Sequence, residues 1–228
     1  LGAANAGPRV GPVVINEILF HPPPIGTNNN TLDEFIELLN ITSQSVPLFD
    51  PNAATNTWKL GGGIDFVFPL GTSLPSGGYL LVVNFDPVTN TTQLAAFRSK
   101  YGLGAGINLV GPYGSSLDNA GEKISLFRPD PPQTLPDPYV GYVPYVLVDR
   151  VEYAGTSPWP TNASGTGNSL QRITSAAYGN DPINWQTGGP TPGGANPGGG
   201  SIDTDGDGLP DAWEIANNLN PLSAAGDD

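Results

Sequence analysis

Close to the end of the chain, residues 203–214 read DTDGDGLPDAWE, five carboxylates and two glycines in twelve positions. Such a cluster repels itself unless a positive charge sits inside it. Ca²⁺ takes roughly six to eight hard oxygens at about 2.3–2.6 Å, and a single loop supplies them from fixed positions. Counted from Asp203, the spacing D-x-[DN]-x-[DN]-G-x5-E is met throughout. Asp203, Asp205 and Asp207 alternate and so aim three carboxylates inward. Gly208 permits the sharp turn, and the Leu209 carbonyl adds an oxygen. Asp211 contributes directly or through water, and Glu214 closes the shell with both of its oxygens. A merely solvated acidic turn gives no reason for glycine at the sixth position and glutamate at the twelfth. The expected metal ligands are therefore Asp203, Asp205, Asp207, Leu209, Asp211 and Glu214, and the expected ion is Ca²⁺.

Other residues that could do chemistry are few. His21 is the only histidine, followed by three prolines. A rigid loop holds a general base well, but a lone histidine at a strand end is more often a surface or hydrogen-bonded structural residue. No GxSxG elbow and no metal-binding histidine pair is present. Glycoside hydrolysis needs only a pair of carboxylates, and Glu17, Glu34 and Glu37 lie on two early strands that can meet. Glu34 and Glu37 are three apart, so they face opposite sides of a strand and do not share a site. Their expected fate is pairing with Arg150, Arg172 or Lys123, or exposure to water. Trp58, Trp159 and Trp185 offer a sugar-stacking platform or, as the more ordinary role, core packing and docking of the C-terminal segment. No residue is assigned a catalytic role.

Composition limits what can position these groups. The chain has 228 residues, with 31 glycines and 25 prolines, which disfavours long helices and favours short strands joined by tight turns. There is no cysteine, so disulfides and thiolate metal sites are excluded. No apolar run reaches the ~18 residues of a membrane helix. Net charge is -13; seven of the 21 acids lie past residue 200, where no Lys or Arg occurs. The body before them carries the other fourteen acids against eight bases, a net of -6. A phosphate backbone is repelled by both parts, so nucleic acid is not an expected partner. The start at Leu1 and the absence of methionine read as an excerpt of a longer or processed chain from which any signal peptide has been removed.

The strand pattern follows the apolar runs. PVVINEILF (12–20) ends at a proline run, and DEFIELLNI (33–41) forms the second strand. TWKL (57–60), IDFVFP (64–69), GYLLVVNF (78–85), NLVG (108–111), EKISLFR (122–128), VPYVLVDRVEY (143–153) and NSLQRIT (168–174) continue the series. QLAAFRSKYG (93–102) is the one helix of the body, with Thr91 or Thr92 as its cap and Gly102 as its end. RPDPPQTLPDP (128–138) reads as an extended loop and TGGPTPGGANPGGG (187–200) as a flexible, partly extended linker. Strands of this length and spacing predict an all-β, two-sheet antiparallel sandwich.

Six segments in order resemble the bacterial lamin tail domain: VVINEI (13–18), DEFIELLNITSQSVPL (33–48), Trp58–Leu60, FPLGTSLPSGGYLLVV (68–83), LDNAGEKISLF (117–127) and VDRVEY (148–153). SPWPTNASGTGNSLQR (157–172) and QTGGPTPGGAN (186–196) are similar to that family's C-terminal extension, so the resemblance spans about residues 10–197. It implies an immunoglobulin-like β-sandwich that serves as an accessory module beside secreted enzymes, adhesion modules or calcium repeats. The acidic loop, with no helix before it and DAWEIANNL (211–219) as an exiting helix, resembles the calcium repeats of dockerins and thrombospondin type 3 arrays. Asp227 and Asp228 are positioned as the opening of a further repeat.

The expected organisation is a sandwich over residues 1–186, a Gly/Pro-rich linker over 187–202, and a calcium loop with exiting helix over 203–228. The function expected from it is non-catalytic binding, spacing or anchoring within a larger secreted or cell-surface bacterial protein. Its partners would be neighbouring domains of that protein, or an extracellular polysaccharide or protein. A carbohydrate-binding module is the alternative that exposed aromatics on one face or loop cluster would favour. A secreted hydrolase is the alternative that His21 or a carboxylate pair converging in a pocket would favour.

Overall fold

The structure is a computed structural model, and it describes residues 9–136, 138–197 and Asn220. The calcium loop Asp203–Glu214, its exiting helix and residues 198–202 of the expected linker lie outside the described residues.

Strands run in the order β1 (Val13–Leu19), β2 (Phe35–Asn40), β3 (Val46–Pro47), β4 (Phe49–Asp50), β5 (Ala53–Thr57), β6 (Lys59–Gly62), β7 (Phe66–Val67), β8 (Ser73–Leu74) and β9 (Tyr79–Val83). Helix α1 (Thr91–Tyr101) follows, then β10 (Asn108–Val110), β11 (Gly121–Pro129), β12 (Tyr145–Ala154), β13 (Ser169–Arg172) and β14 (Trp185–Gly188). Six strands form one sheet, ordered β10-β9-β2-β1-β13-β14, and four form the other, ordered β12-β11-β6-β7. The chain is an all-β sandwich with one short helix. Pairing is antiparallel except between β9 and β10, which run parallel. That exception has a physical cause: α1 lies between those two strands and provides the long crossover that a parallel pair requires.

The inner faces of the two sheets enclose the main core. Ile15, Ile18, Ile36, Leu38, Val82 and Leu170 from the first sheet meet Leu60, Phe66, Ile124, Leu126 and Val151 from the second, all buried. A second cluster lies on the outer face of the six-stranded sheet. There Leu19, Phe35, Leu81 and Val83 pack beneath Phe97 of α1, with Phe85, Tyr101 and Ile107 around them. Both faces of β1 are thus covered, which is why all of VVINEIL is buried.

Helix α1 starts two residues before the expected 93. Its cap is Asn90, whose side-chain oxygen accepts from Gln93 N at 3.1 Å, and not Thr91 or Thr92. Asparagine is among the best N-cap residues because its short amide reaches the free N–H groups of the first turn. Gly102 ends the helix in the left-handed conformation, as expected.

Candidate functional site

The register between β1 and β2 shifts between Ile15 and Glu17. Ile15 stands opposite Leu38 and Ile18 opposite Ile36, all four facing the main core. The extra residue at Asn16 turns Glu17 away from the core and sets it beside Glu37. Without that bulge, strict alternation would put Glu17 on the same face as Val13 and Ile15.

Two glutamates consequently sit side by side on the outer face of the sheet, and neither is exposed to solvent. A strap formed by residues 189–196 covers them. Glu17 Oε1 accepts from Ser169 Oγ at 2.5 Å, from Thr191 N at 2.9 Å and from Gln171 Nε2 at 3.4 Å, while its Oε2 accepts from Thr191 Oγ at 3.3 Å. Glu37 accepts from Asn16 Nδ2 at 2.8 Å and from Gly193 N at 2.5 Å. Gly193 has φ +80, and a Cβ there would meet Ile107 Cγ1 at 2.9 Å, so strap and sheet leave room for no larger residue. Asn196 fastens the far end by donating to the Asn16 and Arg172 carbonyls, both at 3.0 Å.

Burial pushes both carboxyls upward. Glu37 rises to about 8, first because it is removed from water and second because Glu17 stands beside it. Glu17 is also raised by burial, against the pull of its hydrogen bonds. At neutral pH Glu37 holds a proton. The expected basic partners are elsewhere: Arg172 is bound at 2.8 Å to Asp149, whose other role is to accept from Ile15 N, also at 2.8 Å. A carboxyl pair does form, as glycoside chemistry would require, but the strap keeps solvent off both members.

The described part of the expected linker, 187–197, is therefore bound into the sheet. Its Gly/Pro composition suits flexibility when isolated, but it also leaves backbone N–H groups bare enough to reach buried carboxylates. Ser169, Gln171, Thr191, Gly193 and Asn196 were not singled out from the sequence. The only signal they carry is polar residues alternating with Leu170 in a strand, and glycine beside a buried acid.

The remaining expected residues are dispersed. Glu34 does face away from Glu37, and it is buried, with Oε2 accepting from the Tyr113 hydroxyl at 2.9 Å and from Leu117 N at 3.0 Å. His21 is half-buried and its Nδ1 lies 2.9 Å from Ser164 Oγ. Among the described residues no carboxylate hydrogen-bonds to it. Trp58, Trp159 and Trp185 are all buried, so none offers a sugar platform. Trp159 and Trp185 pack with ring centroids 6.0 Å apart, and Trp185 Nε1 donates to the Gly179 carbonyl. Among the described residues, no three His, Cys, Asp or Glu side chains gather as for a metal ion.

Exposed apolar surface is concentrated in one place. Residues 130–136 and 138–144 extend the β11–β12 hairpin, tied by Asp130 N to the Pro144 carbonyl and Gln133 N to the Tyr142 carbonyl, each 2.8 Å. Leu135 is 83% exposed, Tyr139 72%, Val140 56% and Tyr142 63%, and Val146 and Leu147 on the adjoining strand are partly exposed as well. Six of the thirteen large exposed hydrophobic side chains of the described chain fall between residues 135 and 147.

No family model matches the sequence, and no curated protein is similar to it. Among solved structures, the chain is similar to a DUF4876 family protein from Bacteroides thetaiotaomicron. The TM-score is 0.47 at 14% identity, over 90% of this chain and 76% of that one.

Proposed function

We propose that this chain is a non-catalytic binding or anchoring module of a larger secreted or cell-surface protein. It docks through the 130–144 hairpin and carries a structural Ca²⁺ at Asp203–Glu214. The observation that carries the docking reading is the apolar hairpin tip. Leu135, Val140 and Tyr142 project from a segment that holds six of the thirteen large exposed hydrophobic side chains of the described chain, and an exposed apolar cluster of that kind marks an interaction site. Aliphatic side chains are mixed with the tyrosines, which suits a protein surface better than a sugar ring, whose recognition depends on flat aromatic faces. The expected partner is a neighbouring domain of the same polypeptide. The ordered resemblance to lamin tail domains supports an accessory role, and the spacing of residues 203–214 supports calcium.

Hydrogen exchange on the intact parent protein, set against this chain alone, tests the docking reading. Amides of residues 130–144 are expected to be slower in the parent. Equal exchange in both would remove the neighbouring domain as partner. Co-sedimentation with insoluble polysaccharide, lost on Tyr142→Ser, would transfer the hairpin to carbohydrate binding. Calorimetric titration tests the metal: heat is expected with Ca²⁺ at roughly 10⁻⁴–10⁻³ M, the range of extracellular calcium modules, and the part of it that belongs to this loop is expected to be lost in Asp205→Asn/Asp207→Asn.

A further inference from the structure

The loops at one end of the sandwich hold buried oxygens that nothing in the protein answers. Asn30 Oδ1, Glu34 Oε1 and Asn119 Oδ1 have no hydrogen-bond partner, three of the seven such side-chain atoms among the described residues. Glu34 is fully buried and Asn30 is 4% exposed. The segments 29–34 and 113–122 that carry them are held together: Leu117 N and the Tyr113 hydroxyl both donate to Glu34 Oε2, and Asn119 Nδ2 reaches Asn29 Oδ1 at 3.5 Å. Glu122 stands close enough to raise the Glu34 carboxyl by its charge, and Tyr153 donates from its hydroxyl to Glu122 Oε1 at 3.4 Å and to the Asp118 carbonyl at 3.0 Å.

Turning the amides does not satisfy these atoms. Asn30 Nδ2 already donates to the Pro23 carbonyl and to Asp33 Oδ2, and Asn119 Nδ2 to Asn29 Oδ1, so a flip would set oxygen against oxygen. Nor is a basic side chain at hand. Lys100 is engaged by Asp33 at 2.5 Å, and Lys123 is exposed on β11. What the end of the sandwich lacks is a positive centre that accepts several oxygens at once. Oxygen-only ligands of carboxylate and amide type, with no nitrogen or sulfur among them, select a hard cation.

We propose that Asn30, Glu34, Asn119 and Glu122 form a second cation site, of the Ca²⁺ class, separate from the loop at 203–214. Glu34 and Glu122 supply charge, and Asn30 and Asn119 supply amide oxygens. The ion ties the 29–34 loop to the 117–122 loop and closes that end of the sandwich.

The test uses the full chain carrying Asp205→Asn/Asp207→Asn, which disables the C-terminal loop. Tb³⁺ luminescence is excited through aromatic absorption, since Tyr113 and Tyr153 lie at the proposed site. A saturable signal displaced by Ca²⁺ is expected in this background. Glu34→Gln and, separately, Asn119→Ala should each weaken it by about tenfold or more, as loss of a ligand or its support does. Circular dichroism checks that both variants remain folded, and the half-buried Asn119 decides if Glu34→Gln does not. No saturable signal in the background chain, or a signal indifferent to both substitutions, would overturn the site and assign these oxygens to water.

Discussion

Two places in this sandwich bury glutamate, and they resolve the same difficulty differently. On the outer face, Glu17 and Glu37 have donors on both oxygens of each carboxyl. At the end of the sandwich, Glu34 has two donors on one oxygen and none on the other. A buried polar group costs least when its hydrogen-bonding capacity is filled. The first arrangement answers every carboxyl oxygen, with the strap as its lid. The second retains coordinating capacity. Burial alone does not separate a structural carboxylate from one available to a ligand; the count of answered oxygens does.

The contrast can be broken most forcefully at the strap. Glu17→Ala removes the acceptor of Thr191 N and the nearest acceptor of Ser169 Oγ in a dry site, and should cost about 3 kcal/mol in urea unfolding. Glu17→Gln, which keeps an acceptor, should cost distinctly less.

Raising pH acts on both places, with more effect on the outer one. Glu37 is raised to about 8 and Glu34 to about 7, each from an unfolded value near 4.5. The folded chain therefore holds protons that the unfolded chain releases between those values. The stability linked to these groups is fully present below about pH 4.5 and is lost as pH rises through about 7 for Glu34 and about 8 for Glu37. Melting temperature followed from about pH 5 to about pH 9 should fall through this window, and Glu37→Gln should flatten the fall more than Glu34→Gln does.

Smaller effects are expected at Glu34 and at the hairpin. Glu34→Gln in chelator should change stability by less than about 1 kcal/mol, because an amide oxygen still accepts from Tyr113 and Leu117. It should nevertheless abolish the stabilisation that added Ca²⁺ gives an Asp205→Asn/Asp207→Asn chain. At the hairpin, Leu135→Ser should leave unfolding within about 0.5 kcal/mol of the parent chain, since nothing packs over an exposed side chain.

The strands were largely legible in the sequence because apolar alternation and proline breaks are local signals. VVINEIL and FIELLN stand where the pattern puts them. The partnership of Glu17 and Glu37 was not legible, because it depends on one inserted residue at Asn16, and a bulge leaves no mark in composition. The opposite facing of Glu34 and Glu37 was legible, since it needs only the period of two. The ion pair of Asp149 with Arg172 spans 23 positions and links strands of different sheets, so no local pattern announces it. The docking of 187–197 was hidden for a related reason. Glycine and proline report what a segment can do alone, whereas Thr191 and Gly193 are held by acids more than 150 positions earlier. The exposed hairpin read as a Pro-rich loop, and its apolar tip becomes visible only when burial elsewhere is known.

Asn196 has a mechanical consequence. β14 is an edge strand that leads into the strap, and under tension from the C-terminal side an edge strand peels away one hydrogen bond at a time. Asn196 Nδ2 bridges the Asn16 carbonyl on β1 to the Arg172 carbonyl on β13. A pull transmitted along the polypeptide therefore reaches two interior strands before it reaches β14. The load is shared in shear across the middle of the sheet.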